Sequence, residues 1–138
     1  MGGNMSSTGY ALTGFVSWAL FLLVVMEIIR TYLVVTGKVA ANGFMPDNSG
    51  LSPFMQRLAR THANCIEGLP IFGGLLAIAI MTSRTEITDP LASWFLGARI
   101  VQSTIHLVST SPIAVNLRFT AFVVQMAIGV YWSWRLMA

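Results

Sequence analysis

Residues 10–35 read YALTGFVSWALFLLVVMEIIRTYLVV, with one acid, Glu27, and one base, Arg30, both toward the far end. Such a run has no polar face to turn toward water. About 20 predominantly apolar residues let an α-helix cross a hydrocarbon core about 30 Å thick. The stretch therefore predicts a membrane-spanning helix from Tyr10 to Val35. Gly37 follows as its stop, because glycine takes the left-handed conformation that ends helices. Ahead of it, Met1 to Gly9 holds no basic residue, and the apolar run exceeds the core of a signal peptide, so the helix is expected to be retained.

The rest of the chain has the same character. It is 138 residues long, 55% apolar and only 9% charged, with a mean hydropathy of +0.71. So few charges would leave a water-soluble surface uncovered. Three further spans are predicted: Phe54 to Met81 after Pro53, Pro90 to about Ser109 with Asp89 as N-cap, and a fourth opened by Ser111-Pro112 and ending near Leu136. The fold class is an all-α integral membrane protein, a four-transmembrane-helix bundle in which residues 1–138 form one domain. The long first loop, Gly37 to Ser52, and its flank carry Lys38, Arg57 and Arg60, against Arg84 and Arg135 on the other side. The first loop is expected in the cytoplasm and both termini outside. A bacterial inner membrane is the expected location, and the net charge of +3 suits anionic lipid headgroups. Basic clusters with interleaved aromatics are missing, so nucleic acid is not expected as a partner. His62 and His106 lack acidic or cysteine neighbours at ligand spacing, and no metal site is expected.

Polar residues within spans carry the functional information, because they must find partners or line a cavity. At 100° per residue, Arg57, Arg60, Asn64 and Glu67 fall within about 80° of one another on the second helix. Arg99, Gln102, Ser103, His106 and Thr110 form a stripe on the third. The fourth offers Arg118 and Gln125. Glu27 and Arg30 have the spacing of an intrahelical ion pair. Arg99 and Arg118 have no acid on their own helices, and Glu67 is the expected partner for one of them. His106 reads equally as a hydrogen-bonded structural histidine or as a base. Cys65, the lone cysteine, reads as packing, and Pro70 with Gly73-Gly74 as a bend and a close helix approach. Arginines and one carboxylate at one end of a bundle suit a small, polar, net-anionic ligand.

The run Arg60-Thr61-His62-Ala63-Asn64-Cys65-Ile66-Glu67-Gly68-Leu69-Pro70 resembles the second-helix signature of the MAPEG family, the membrane-associated proteins in eicosanoid and glutathione metabolism. The segment from Thr36 through Asn42, Arg99 on the third helix and Arg118 early in the fourth extend the resemblance over nearly the whole chain. It implies a homotrimer with glutathione held between subunits near the cytoplasmic face. It further implies that Arg60, His62, Asn64, Glu67, Arg99 and His106 surround the tripeptide, and that Arg118 is the catalytic residue that stabilises its thiolate. Glutathione, the co-substrate, carries two carboxylates and one ammonium, to which arginines and one carboxylate are complementary.

The activity so implied is a membrane-bound glutathione transferase or peroxidase acting on hydrophobic electrophiles or lipid hydroperoxides. One alternative is a non-catalytic member of the family that holds a lipid and presents it to a partner. Another is a small four-helix multidrug transporter using Glu27 for proton coupling, against which Arg30 at i+3 argues. His106 stands where a tyrosine is common in the family. Ala63 and Ala40 replace arginines found in some members, and Phe119 and Phe122 replace hydroxyl-bearing residues of its prostaglandin-forming members. Prostaglandin synthesis is therefore not expected.

Overall fold

Each separate rod of the bundle begins where a serine or a loop frees its first amides. In the computed structural model, which describes residues 3–138, the domain's first two residues, Met1 and Gly2, lie outside the described residues. The side chain of Ser6 accepts from the Gly9 amide and starts α1 (Ser7–Val35), which ends at Thr36 before Gly37 at φ 74°. Ser52 caps α2 (Pro53–Gly68) in the same way, with Pro53 in the first turn. A π-helical turn, Leu69–Gly73, follows directly and passes into α3 (Gly74–Met81). Pro70 lies in this turn and lacks the N–H that a regular helix would use, so the expected bend takes the form of one wide turn. Gly73 faces α1, where an added Cβ would stand 3.4 Å from Leu12 Cδ1, whereas Gly74 faces open space. The close approach belongs to Gly73 alone.

The third expected span differs at its start. α4 (Thr85–Val108) begins after Arg84, and Pro90 lies inside it. Asp89 is thus not an N-cap of its own helix. Its Oδ1 accepts from the backbone N–H of Thr8 at 2.9 Å and from the Thr8 hydroxyl at 2.6 Å, at the start of α1. Thr8 also shares a 2.5 Å hydrogen bond with Thr88. The carboxylate thereby meets the positive end of a neighbouring helix dipole. Ser111 accepts from the Ala114 amide and opens α5 (Pro112–Met137) where the sequence predicts it.

Three rods are long and apolar enough to cross a membrane: Ser7–Val35, Pro53–Met81 and Pro112–Met137. α4 is 24 residues long but carries the polar stripe, and it packs against α1, α2, α3 and α5. Its Arg99, Gln102, Ser103 and His106 are all buried. Thr110 falls beyond the helix end and is exposed. The helix with the buried polar stripe thus touches every other α-helix of the bundle. In the core, Phe95 of α4 meets Phe15 of α1, Phe72 of the π-helical turn and Trp132 of α5, with ring centroids 5.8, 5.0 and 5.5 Å away. Gly129 gives Phe72 its place, since a Cβ there would come within 2.9 Å of the ring. The outer faces of α1 and α5 expose Leu20, Phe21, Val24, Ile28, Leu117 and Val130, as suits an apolar surrounding.

The first loop is fastened to α1. Asn48, fully buried at φ 58°, accepts from Arg30 Nε at 3.1 Å and Nη2 at 2.5 Å and donates to the Met55 carbonyl at 2.7 Å. Arg30 also makes the expected ion pair with Glu27, at 3.3 Å.

Candidate functional site

Helical spacing places Arg60, Asn64 and Glu67 on one face of α2, and Gln102 with His106 one turn apart on α4. α5 adds Val115, Arg118, Phe119 and Phe122. These residues, with Ala63, line one cavity of about 410 Å³, a size suited to a small ligand. Its polar part holds two guanidiniums, one carboxylate, two amides and the imidazole of His106. Its apolar part is formed by α5 with Ala63. The cavity can thus meet a charged, hydrogen-bonding molecule on one side and an apolar one on the other.

A hydrogen-bonded chain of side chains runs beneath this wall. Arg99 Nη1 donates to Asn64 Oδ1 at 2.7 Å, and Gln102 Nε2 donates to the same oxygen at 3.3 Å. Gln125 Nε2 donates to Gln102 Oε1 at 2.7 Å and to the Ala121 carbonyl at 3.1 Å. Arg99 is fully buried, with its guanidinium 5.2 Å from the centroid of the Phe15 ring. Cys65 is buried 3.5 Å from the Ser103 hydroxyl and packs in the core, as the sequence suggests.

Of the residues read from the sequence as a binding set, Arg60, Asn64, Glu67, His106 and Arg118 come together on the cavity. Two do not line it. Arg99 lies behind the wall and reaches the cavity only through Asn64. His62 is half-buried elsewhere, because two residues along a helix is a rotation of about 200° away from both Arg60 and Asn64. The expected pairing of Glu67 with Arg99 or Arg118 is not formed: among the described residues the ion pair is Glu27–Arg30, and Glu67 remains exposed on the cavity. Arg57, on the same helical face as Arg60, donates through Nε to the Leu107 carbonyl at 2.9 Å. There it satisfies a carbonyl at the C-terminus of α4, where a cation is favoured. Gln102 is a cavity residue that the sequence shows only as part of a stripe; its i+3 spacing from Arg99 was the available signal. Among the described residues, no group of three or more His, Cys, Asp or Glu is placed to hold a metal ion.

Searches of curated proteins and of solved structures return no match. The model of the MAPEG family matches residues 11–138, from the second turn of α1 past the end of α5. With three apolar rods long enough to span a bilayer and the signature residues of α2 gathered on one cavity, the chain belongs to the MAPEG family and is a multi-pass membrane protein.

Proposed function

We infer that the cavity binds glutathione and that the protein is a glutathione transferase or peroxidase for hydrophobic electrophiles or lipid hydroperoxides. The observation that carries this reading is the convergence of Arg60, Asn64, Glu67, His106 and Arg118 on one cavity with an apolar wall. Arg60 and the amide of Asn64 suit a carboxylate or peptide carbonyl, and Glu67 suits the single ammonium. Arg118 is the cation assigned to the sulfur. A thiol of pKa about 8.5 must lose its proton to become a nucleophile, and a guanidinium in a site of low polarity favours the anion. On an aryl halide the thiolate forms the C–S bond and halide leaves. On a hydroperoxide it attacks the terminal oxygen and the O–O bond breaks. The alcohol is released, and a second glutathione displaces hydroxide from the sulfenic acid to give the disulfide and water. Val115, Phe119 and Phe122 are the surface for the apolar substrate, which arrives through the bilayer. In this reading α4 crosses the membrane with the other rods, its charges turned inward, and three copies assemble so that each cavity is closed by a neighbour.

Calorimetric titration of the detergent-solubilised protein with glutathione tests the reading, together with ultraviolet thiolate absorbance and turnover of a chromogenic aryl halide. Binding, absorbance and turnover are expected together. The apolar half of the lining, Ala63 included, also suits a non-catalytic role in holding a lipid. Absence of both thiolate and turnover at saturating glutathione would move the assignment to that role.

A further inference from the structure

Hydrogen-bond sense is fixed at both ends of the buried chain that backs the cavity. Arg99 can only donate, so the Asn64 atom 2.7 Å from its Nη1 is the amide oxygen. Gln102 approaches that same oxygen and must therefore contribute its nitrogen, leaving its own oxygen for Gln125. At the far end Gln125 meets the carbonyl of Ala121, which can only accept, so Gln125 presents nitrogen there as well. The two ends demand the same orientation of all three amides. Among the described residues nothing accepts from Asn64 Nδ2, and Asn64 lines the cavity.

Arg99 is held in place for this. It is 0% exposed, rests over Phe15, and among the described residues has no hydrogen-bond partner for Nε or Nη2. Gly68 makes its room, because an added Cβ would lie 2.9 Å from Nη2. A buried guanidinium without a carboxylate is costly, and its bond to Asn64 Oδ1 with the Phe15 ring face offsets part of that cost.

We propose that Arg99 is a positioning residue: by holding Oδ1 of Asn64 it leaves that amide only N–H groups to offer, so at Asn64 the cavity wall selects a ligand carboxylate or carbonyl and disfavours a ligand donor, while Glu67 on the same helix remains the acceptor for an ammonium. The inference rests on the glutathione reading only for the ligand used in one arm of its test. Loss of Arg99 removes the 2.7 Å bond and leaves Oδ1 held only by the 3.3 Å bond from Gln102, so the amide turns its oxygen outward, against a ligand acceptor, far more readily.

The first arm needs no ligand. In detergent-solubilised protein, Asn64→Asp puts a carboxylate where Arg99 and Gln102 donate, so thermal stability is expected to hold or rise. In an Arg99→Met background the same change is expected to lower it. A similar fall in both backgrounds overturns the inference. The second arm is calorimetry with glutathione. Asn64→Asp and Arg99→Met are each expected to bind roughly 10-fold or more weakly, the loss of one charge-assisted hydrogen bond, and Arg99→Lys, which also only donates, to regain most of the affinity. In an Asn64→Ala background, Arg99→Met is expected to cost no further affinity. Additive losses would make Arg99 a direct ligand contact and overturn the proposal. Wild-type protein that binds no glutathione would overturn the functional reading instead, and the stability arm would decide the orientation of Asn64 by itself.

Discussion

Arg118 and His106 share the cavity wall, and in the proposed function both are candidates for one role, activation of a thiol. They differ in what their removal would do. A guanidinium stabilises thiolate over thiol and so lowers the bound thiol's pKa. Arg118→Leu is expected to raise that pKa, shifting the rise of rate with pH to higher pH. The chemical step should slow on the order of 10- to 1,000-fold, while affinity changes far less. A base would behave differently: if His106 took the proton, His106→Phe would abolish a titration near its own pKa and Arg118→Leu would not. Thiolate absorbance against pH for both variants separates the two. Binding is assigned to other residues. Glu67→Gln and Arg60→Ala are each expected to weaken glutathione by about 1–3 kcal/mol, the loss of one charged hydrogen bond. Unchanged calorimetric affinity in a folded variant would return both residues to a structural role.

Between elements, two polar fastenings hold what apolar packing cannot orient. Asp89 ties α4 to the first turn of α1 through the N–H and hydroxyl of Thr8. Asp89→Ala leaves that amide and hydroxyl without their acceptor and is expected to cost about 1–3 kcal/mol. At the opposite end, Asn48 bridges Arg30 to the Met55 carbonyl and so sets the path of the first loop into α2. Asn48→Ala removes these bonds and also places alanine at φ 58°, where a side chain other than Asn or Asp is strained. A loss of about 2–4 kcal/mol is expected, seen as a lower midpoint of thermal unfolding in detergent. Asn48→Gly, which keeps the backbone conformation comfortable, is expected to recover part of it. Equal midpoints for the two variants would show that the backbone conformation contributes nothing. Both fastenings involve residues the sequence placed in a loop or at a helix start, so neither looked like an inter-element contact beforehand.

At the scale of the molecule, polarity runs from the inside out. α4 holds buried Arg99, Gln102, Ser103 and His106 at the centre, whereas α1 and α5 turn Leu20, Val24, Ile28 and Val130 outward. Apolar packing alone gives helices little reason to associate in lipid. Assembly should therefore use the face that carries the open cavity, where Arg60, Glu67 and Arg118 have no partner of opposite charge among the described residues. A homotrimer is expected in mild detergent, by native mass spectrometry or crosslinking. A purely monomeric species that still binds glutathione would remove the neighbour from the site.

The sequence by itself determined the helical rods, most of their ends, the ion pair of Glu27 with Arg30, and the residues of α2 that share a face. All of these depend on local hydropathy, on capping side chains or on the 100° step of one helix, which the chain carries wherever it folds. It did not determine how each helix is rotated against its neighbours. Periodicity ranks residues around one axis but leaves that axis free to turn. Only the tertiary structure decided that Arg57 closes the end of α4 while Arg60 faces the cavity, and that His62 turns away from it. Asp89 read as a cap of its own helix because the Asp-Pro pair is a local signal, yet its partner is 81 residues away in Thr8. Arg99 read as a ligand contact because the family resemblance placed it beside the ligand. Packing of α4 against α1 and α2 buried it over Phe15 instead and turned its Nη1 to Asn64.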